Sequence, residues 1–77
     1  MNKPEKTFRI GYCSASVFLN GTNDERTFRS VSLQRRYKDG DQWKSSSSFS
    51  LADLPNAIAV LQLAMAYLAP LEADTTA

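Results

Sequence analysis

The feature that most constrains the fold is the segment from Leu54 to Leu71, which contains no charged residue. Two apolar stripes recur in this segment at helical spacing. The first stripe comprises Leu54, Ile58, Leu61, Met65 and Leu68, and the second comprises Ala57, Val60, Ala64, Tyr67 and Leu71. A helix that is apolar around most of its circumference cannot remain half in water, and one small sheet covers only one of its sides. The sequence therefore predicts a helix that needs two apolar neighbours.

The ends of this helix have their own sequence signals. Ser50 and Asp53 have the spacing of a capping box, which places the start of the helix between residues 50 and 54. Pro70 disfavours helical conformation at the residue before it, so we expect the helix to end at Leu68 or Ala69.

A second copy of the chain is the neighbour that we expect to complete the cover of this helix. We place the first stripe on the sheet and the second at a two-fold interface, where small side chains allow close approach beside an aromatic anchor. The predicted dimer contacts are Ala57, Val60, Ala64 and Tyr67. A membrane is disfavoured because the helix has only about 16 to 18 residues and lacks flanking Lys or Arg on its lipid-facing side.

The segment from Thr7 to Leu19 alternates between apolar and polar residues, but the phase of the alternation changes. Phe8 and Ile10 are apolar at even positions, whereas Val17 and Leu19 are apolar at odd positions. Such a change needs a bulge or a break, so we expect a bulge or kink within residues 11 to 14, in one bent strand or between two short ones. Asn20-Gly21 is a turn signal and should end the segment before a longer loop.

Residues 26 to 50 are typical of a hairpin of two strands around the turn at Asp39-Gly40. In the second strand, Val31 and Leu33 should face the core, and Arg35 and Tyr37 continue that phase towards solvent. We expect Phe49 of the third strand to face the core, which places other side chains by phase. That phase gives Trp43, Ser45 and Ser47 to the core face, and leaves Ser30, Ser32, Gln34, Arg36, Lys44, Ser46 and Ser48 on the outer face. The pairing register across the turn is left open by the sequence.

These elements together predict the α+β fold class. We expect a curved antiparallel sheet of three or four strands followed by one C-terminal helix, in a homodimer. Residues 1–6 are predicted to be a flexible N-terminal segment, residues 7–70 a single domain, and residues 71–77 a flexible C-terminal tail.

The composition argues against catalysis. The 77 residues include no His and a single Cys, Cys13, so an intramolecular disulfide is excluded and no metal site is expected. Cys13 has no candidate base, and the isolated glycines form no phosphate-binding loop. We expect a protein that is not an enzyme, without cofactor, metal or small-molecule substrate. We also expect it to be soluble and cytoplasmic, because no apolar run reaches the length of a membrane span or follows a signal-peptide pattern.

Charge is distributed unevenly along the chain. Between residues 26 and 44, six basic residues are opposed by two carboxylates, which gives +4, and the remainder of the chain carries −3. A net charge of +1 therefore conceals a locally positive hairpin that also carries Tyr37 and Trp43. Cations and aromatic rings on a two-stranded surface suit phosphate backbones and unstacked bases, although many hairpins are basic only for solubility.

The hairpin and the following helix show a pattern that resembles a known family. Its elements are Phe28, Ser30-Val31-Ser32-Leu33, Arg35-Arg36-Tyr37-Lys38-Asp39, Trp43-Lys44, Ser47, Phe49-Ser50-Leu51 and Asp53-Leu54-Pro55. The pattern is similar to the single-stranded-DNA-binding domain of transcriptional positive cofactor four and to short bacterial relatives of unassigned role. The resemblance implies a curved sheet with a dimerising helix. It also implies phosphate contacts from Arg35, Arg36, Lys38 and Lys44, and base stacking on Tyr37 and Trp43.

The favoured hypothesis is a small dimeric protein that binds single-stranded nucleic acid with little sequence preference, for example a transcription or DNA-maintenance accessory factor. The alternative is a protein-interaction module or accessory subunit that presents the same hairpin to an acidic partner or offers a sheet edge for strand addition. The sequence leaves open whether the ligand is DNA or RNA, which sequences it prefers, and the biological pathway.

Overall fold

In a computed structural model, residues 3–21 and 27–72 are described. Four antiparallel strands form one sheet in the order β1-β2-β3-β4, and a helix follows them. The strands are β1 (Lys6–Ile10), β2 (Cys13–Gly21), β3 (Thr27–Asp39) and β4 (Gln42–Ser46). A 3₁₀ turn (Leu51–Asp53) leads directly into the helix α1 (Leu54–Glu72). The α+β class is confirmed, with four strands.

The change of phase in the first strand segment is a hairpin turn. Ile10 pairs with Cys13 across the two residues Gly11 and Tyr12, so the expected break is confirmed and the segment is two short strands. This turn places even residues of β1 and odd residues of β2 on the same face. Gly11 adopts a φ of 60°, and a Cβ atom there would lie 2.6 Å from Nδ2 of Asn56, so only glycine fits this turn without strain.

The core lies between β2 and α1 and consists of small side chains. Its buried members are Cys13, Ala15 and Val17 from β2, and Ala57, Val60 and Ala64 from α1. Phe8, Ile10, Leu33, Phe49, Tyr67 and Leu68 pack around them and are partly buried. Small residues on both elements allow the helix to lie close to the sheet.

This core takes in three of the four predicted dimer contacts, so their side chains are not exposed to a second copy. Ala57, Val60 and Ala64 are buried within one chain, Val60 to 0% exposure, and Tyr67 is partly buried beside them. The two stripes of the helix have equal periods, so periodicity did not distinguish them. The alanine-rich stripe fits closely over Ala15 and Val17, whereas the bulkier stripe would hold the helix away from such a sheet. Leu54, Ile58, Leu61 and Met65 are exposed instead.

The ends of the elements differ from the predicted bounds. The helix continues through Pro70 to Glu72, whereas we expected it to end before Pro70. Because Pro70 lies in the last turn, its missing N–H removes only the hydrogen bond to the carbonyl of Ala66. Lys6, expected in the N-terminal segment, is the first residue of β1. Residues 1–2, 22–26 and 73–77, which include the predicted loop and most of the predicted tail, lie outside the described residues.

The hairpin of β3 and β4 has a register that reverses the expected faces of β4. Asp39 pairs with Gln42, so Trp43 lies opposite Lys38 and Ser45 lies opposite Arg36. Trp43 and Ser45 therefore share the face of Arg36, and Lys44 and Ser46 lie on the helix side. Phe49 does pack against the core, but β4 ends at Ser46, so the phase of Phe49 does not govern the strand.

Candidate nucleic-acid interface

The sheet has one face that α1 does not cover, and we call it the outer face. The strand register assigns to it Thr7, Arg9, Ser14, Ser16, Phe18, Asn20, Phe28, Ser30, Ser32, Gln34, Arg36, Lys38, Trp43 and Ser45. Six of these fourteen side chains are small and carry a hydroxyl group, and two more are amides. The outer face is therefore a polar surface, with aromatic rings towards its two ends.

Four residues at the hairpin end of the outer face form what we call the tip cluster: Tyr12, Arg36, Lys38 and Trp43. The ring centroids of Tyr12 and Trp43 lie 5.7 Å apart at a tilt of 35°, and the Arg36 guanidinium lies 4.9 Å from the Trp43 ring centroid. The backbone N–H of Arg36 donates to the carbonyl of Tyr12 at 2.8 Å, which holds the β1–β2 turn against β3. Trp43 remains 49% exposed.

Sequence reasoning missed Tyr12, which we placed in the first strand segment without a functional role. Its position beside Gly11, at the point where the apolar phase changes, was the available signal. A turn residue at that point lies at the end of the sheet, beside the strand that pairs with β2.

A shallow open depression of about 250 Å³ surrounds the end of β3, where pairing with β2 has stopped. Five of the six predicted nucleic-acid-binding residues line it: Arg35, Arg36, Tyr37, Lys38 and Trp43, together with Tyr12 and Asp53. Lys44 is the predicted residue that does not line it. The depression thus joins the tip cluster to the helix side around the end of the strand.

On the helix side, Arg35 is held in a structural network. Its Nε donates to the carbonyl oxygen of Ser48 at 2.9 Å and lies 3.3 Å from Oδ2 of Asp53, while its guanidinium lies 5.4 Å from the Tyr37 ring centroid. These contacts join β3 to the segment that precedes α1. Arg35 therefore stabilises the path of the chain into the helix.

Asp53 also caps the start of the helix, as the sequence predicted. Its carboxylate accepts hydrogen bonds from the hydroxyl of Ser50 at 2.8 Å and from the backbone N–H of Ser50 at 3.1 Å. These two hydrogen bonds, and then the charge of Arg35, hold the pKa of Asp53 below its ordinary value. The carboxylate of Asp53 is therefore ionised and can form an ion pair with the guanidinium of Arg35.

A second network locks the opposite end of the helix to the sheet. The Tyr67 hydroxyl donates to Oε2 of Glu5, and Nε of Arg29 lies 3.0 Å from Oε1 of the same carboxylate. The hydrogen bond from Tyr67 and then that from Arg29 lower the pKa of Glu5, and the same bond to Glu5 raises the pKa of Tyr67. The carboxylate of Glu5 therefore joins β3 to α1, through Arg29 and Tyr67.

Charge is segregated between the two faces of the sheet. The ion pairs of Arg29 with Glu5, Arg35 with Asp53, and Lys44 with Asp39 at 3.0 Å all belong to the helix side. The outer face carries Arg9, Arg36 and Lys38, and none of its described residues is Asp or Glu. Within the described strands, Arg9, Arg36 and Lys38 of the outer face have no ion pair. Lys6 is the one strand cation of the helix side without one, and its Nζ lies 5.7 Å from the Phe8 ring centroid.

Hydroxyl and amide groups occupy much of the outer face away from the tip cluster. The hydroxyl oxygens of Thr7 and Ser16 lie 3.3 Å apart, and Nδ2 of Asn20 donates to Oγ of Ser30 at 3.0 Å. Ser16 pairs with Ser32 on the adjacent strand. These short side chains allow a ligand to approach the sheet closely and offer it both donors and acceptors.

The described residues bear on two other kinds of site, a metal site and a nucleophile. Residues 3–21 and 27–72 contain no cluster of three or more Cys, Asp or Glu side chains that could hold a metal ion. Cys13 is buried, and this burial raises the pKa of its thiol, so the thiolate form is disfavoured.

No protein-family model, curated protein or solved structure matches this chain. The family resemblance and the roles that it implies therefore stay predictions.

Proposed function

We propose that this protein binds single-stranded nucleic acid on its outer face, with the tip cluster as the principal contact. The observation that supports the proposal most strongly is the segregation of charge. Arg9, Arg36 and Lys38 share a face without described carboxylates, whereas three of the four strand cations of the helix side, Arg29, Arg35 and Lys44, are paired. A polyanion neutralises the outer face without breaking an existing ion pair.

The tip cluster supplies the two kinds of contact that single strands require. The rings of Trp43 and Tyr12 are exposed and offer π-faces for unstacked bases, and Arg36 is already placed over Trp43. Lys38 and Arg36 can then neutralise the phosphates that flank a stacked base. Because stacking and phosphate contacts carry little base information, we expect little sequence preference.

The six residues predicted from the sequence take different parts in this proposal. Arg36, Lys38 and Trp43 contact the ligand directly. Arg35 and Tyr37 support the depression from the helix side, and Lys44, paired with Asp39, contributes least. We add Tyr12 and Arg9 to these residues.

We propose further that the protein is a homodimer, in which the exposed stripe of α1 replaces the predicted stripe as the main contact. The exposed stripe of α1 borders an apolar groove of about 250 Å³ lined by Val31, Leu61, Ala64, Met65, Leu68 and Ala69. Copies related by a two-fold axis could each place this stripe on the same surface of the other, which gives a self-complementary apolar interface. The segment 51–71 is also long and apolar enough to cross a membrane, but one such helix is weak support for that alternative.

Intrinsic fluorescence tests the proposed function directly, because Trp43 is the only tryptophan. Titration with single-stranded oligo-dT of about 20 nucleotides at low salt should quench Trp43, since stacked bases quench tryptophan emission. Duplex of the same length should bind more weakly, because its bases are already stacked. Absence of binding to single strands, or a preference for duplex, would refute the proposal and favour the protein-partner alternative.

A further inference from the structure

Two phenylalanines lie on the outer face at the end opposite the tip cluster. Phe18 pairs with Ser30, and Phe28 pairs with Asn20, so both rings belong to the face that α1 leaves uncovered. Phe28 is 50% exposed and does not belong to the core on the helix side of the sheet. These two rings lie at the other end of the sheet from the tip cluster, so the contacts proposed for that cluster give them no role.

The spacing between the aromatic ends follows from the register. Trp43 lies opposite Lys38, and Phe18 lies opposite Ser30. Eight residues of β3 separate these levels, which is about 26 Å at about 3.3 Å per residue. The distance is too great for one base to contact both ends.

The surface between the aromatic ends consists mainly of short polar side chains. Ser32, Gln34 and Ser14 occupy it on neighbouring strands, and Arg9 lies opposite Ser14 on β1. No described side chain with a negative charge interrupts this path. A strand that starts at Trp43 can therefore follow β3 across hydroxyl groups and reach the second aromatic pair without meeting an opposing charge.

From these observations we propose that Phe18 and Phe28 form a second stacking site for the same single strand, so that the nucleic-acid site spans the whole outer face along β3. The inference rests on the proposed function and extends it. Its consequence is a minimum ligand length, since a strand must be on the order of four nucleotides or more to reach both ends. Shorter strands bind the tip cluster alone.

A series of oligo-dT lengths, from about 2 to 16 nucleotides, tests this extended site. The affinity of the wild-type protein should rise steeply once the strand reaches both ends. Phe28→Leu retains apolar volume but removes the ring, and should lower the affinity for the longer strands about tenfold while leaving the shortest ones unchanged. Phe28→Tyr should retain the wild-type affinity at every length.

Leu19→Ser is the matched control for this experiment. Leu19 is 48% exposed and lies on the strand of Phe18, but on the helix side of the sheet. This variant should bind long strands like the wild type. Thermal melting of each variant verifies that it is folded.

The outcomes separate the two proposals. If the wild-type protein binds no oligonucleotide of any length, both the proposed function and the extended site are refuted. If it binds but folded Phe28→Leu has wild-type affinity at every length, only the extended site is refuted. If Leu19→Ser lowers the affinity as much as Phe28→Leu, the ring has no specific role and the extended site is again refuted.

Discussion

At the scale of single residues, neighbouring cations have different surroundings because strand residues alternate between faces. Arg35 and Arg36 are adjacent in sequence, yet Arg35 contacts Asp53 and Ser48, whereas Arg36 lies over the ring of Trp43. The carboxylate of Asp53 pairs with the guanidinium of Arg35, whereas the guanidinium of Arg36 remains available to a ligand. A residue type and its position in a basic segment are therefore insufficient to identify a phosphate contact.

Glu5 gives a prediction on pH dependence. Because its folded pKa lies below the ordinary value of 4.5, ionised Glu5 contributes stability above that pH, and this contribution is lost as the pH falls through the folded pKa. The pKa of Tyr67 is raised above 10.0, so the stability from its hydrogen bond is present below pH 10 and is lost as the pH rises through the folded pKa. The melting temperature should fall at both limits.

Tyr67→Phe tests this pair, because it removes the hydroxyl and retains the ring that packs against Phe8. The variant should melt at a lower temperature than the wild type at neutral pH, with a smaller further decrease between pH 6 and pH 3. The alkaline decrease above pH 10 should also become smaller. Identical pH profiles of the two proteins, measured by thermal melting, would show that Glu5 and Tyr67 do not couple folding to pH.

At the scale of elements, the helix shows which part of the fold was predictable. Its cap at Ser50 and Asp53 and its apolar character follow from local sequence patterns. The choice between its two stripes does not, because both have the helical period. That choice depends on the size of the side chains on the opposing strand, and Ala15 and Val17 select the alanine-rich stripe through close packing.

Strand phase was predictable in β1, β2 and β3 because apolar residues alternate in each of them. It was not predictable in β4, which offers Trp43 as its one apolar residue. There the two-residue turn alone decides which side chains share a face. This is why Trp43 was expected on the core face and lies on the outer face.

The exposed stripe of α1 leads to a prediction on assembly. Met65 is 63% exposed and lines the apolar groove, whereas the adjacent Ala66 is also exposed but points about 100° away around the helix. Met65→Lys should shift the protein from dimer to monomer, because it places a charge within the interface. Ala66→Lys should remain dimeric. Sedimentation equilibrium at micromolar concentration measures both.

A wild-type protein that sediments as a folded monomer would refute the dimer. Dissociation by Ala66→Lys, but not by Met65→Lys, would place the interface on another side of the helix.

At the scale of the whole molecule, the two sides of the sheet have different chemistry. The helix side contains the core, the ion pairs and the apolar stripe, and the outer face contains hydroxyl groups, exposed rings and unpaired cations. An interface through the stripe would leave both outer faces free. Each face then acts as a separate site with about three phosphate contacts, which gives a log–log salt slope near −2 for single strands.

The basic and aromatic character of the candidate site was predictable from residues 26–50, because it is a property of composition. The division of these basic and aromatic residues between the two faces of the sheet was not predictable. That division depends on the hairpin register and on carboxylates elsewhere in the chain. Asp53 neutralises Arg35 from the start of the helix, and Glu5 reaches Arg29 from the N-terminal side of β1. Such long-range pairs have no local sequence signal.

The most direct test of the outer face compares Lys38→Ala with Lys44→Ala. The two lysines lie on the two strands of one hairpin, but Lys38 belongs to the outer face and Lys44 is paired with Asp39 on the helix side. Affinity for single-stranded oligo-dT is measured by Trp43 fluorescence over a range of salt concentrations.

Lys38→Ala should weaken binding several-fold at low salt and reduce the magnitude of the salt slope by about 0.7, the value of one phosphate contact. Lys44→Ala should leave both the affinity and the slope unchanged. An equal or larger loss in Lys44→Ala would contradict the central claim that the outer face is the nucleic-acid surface.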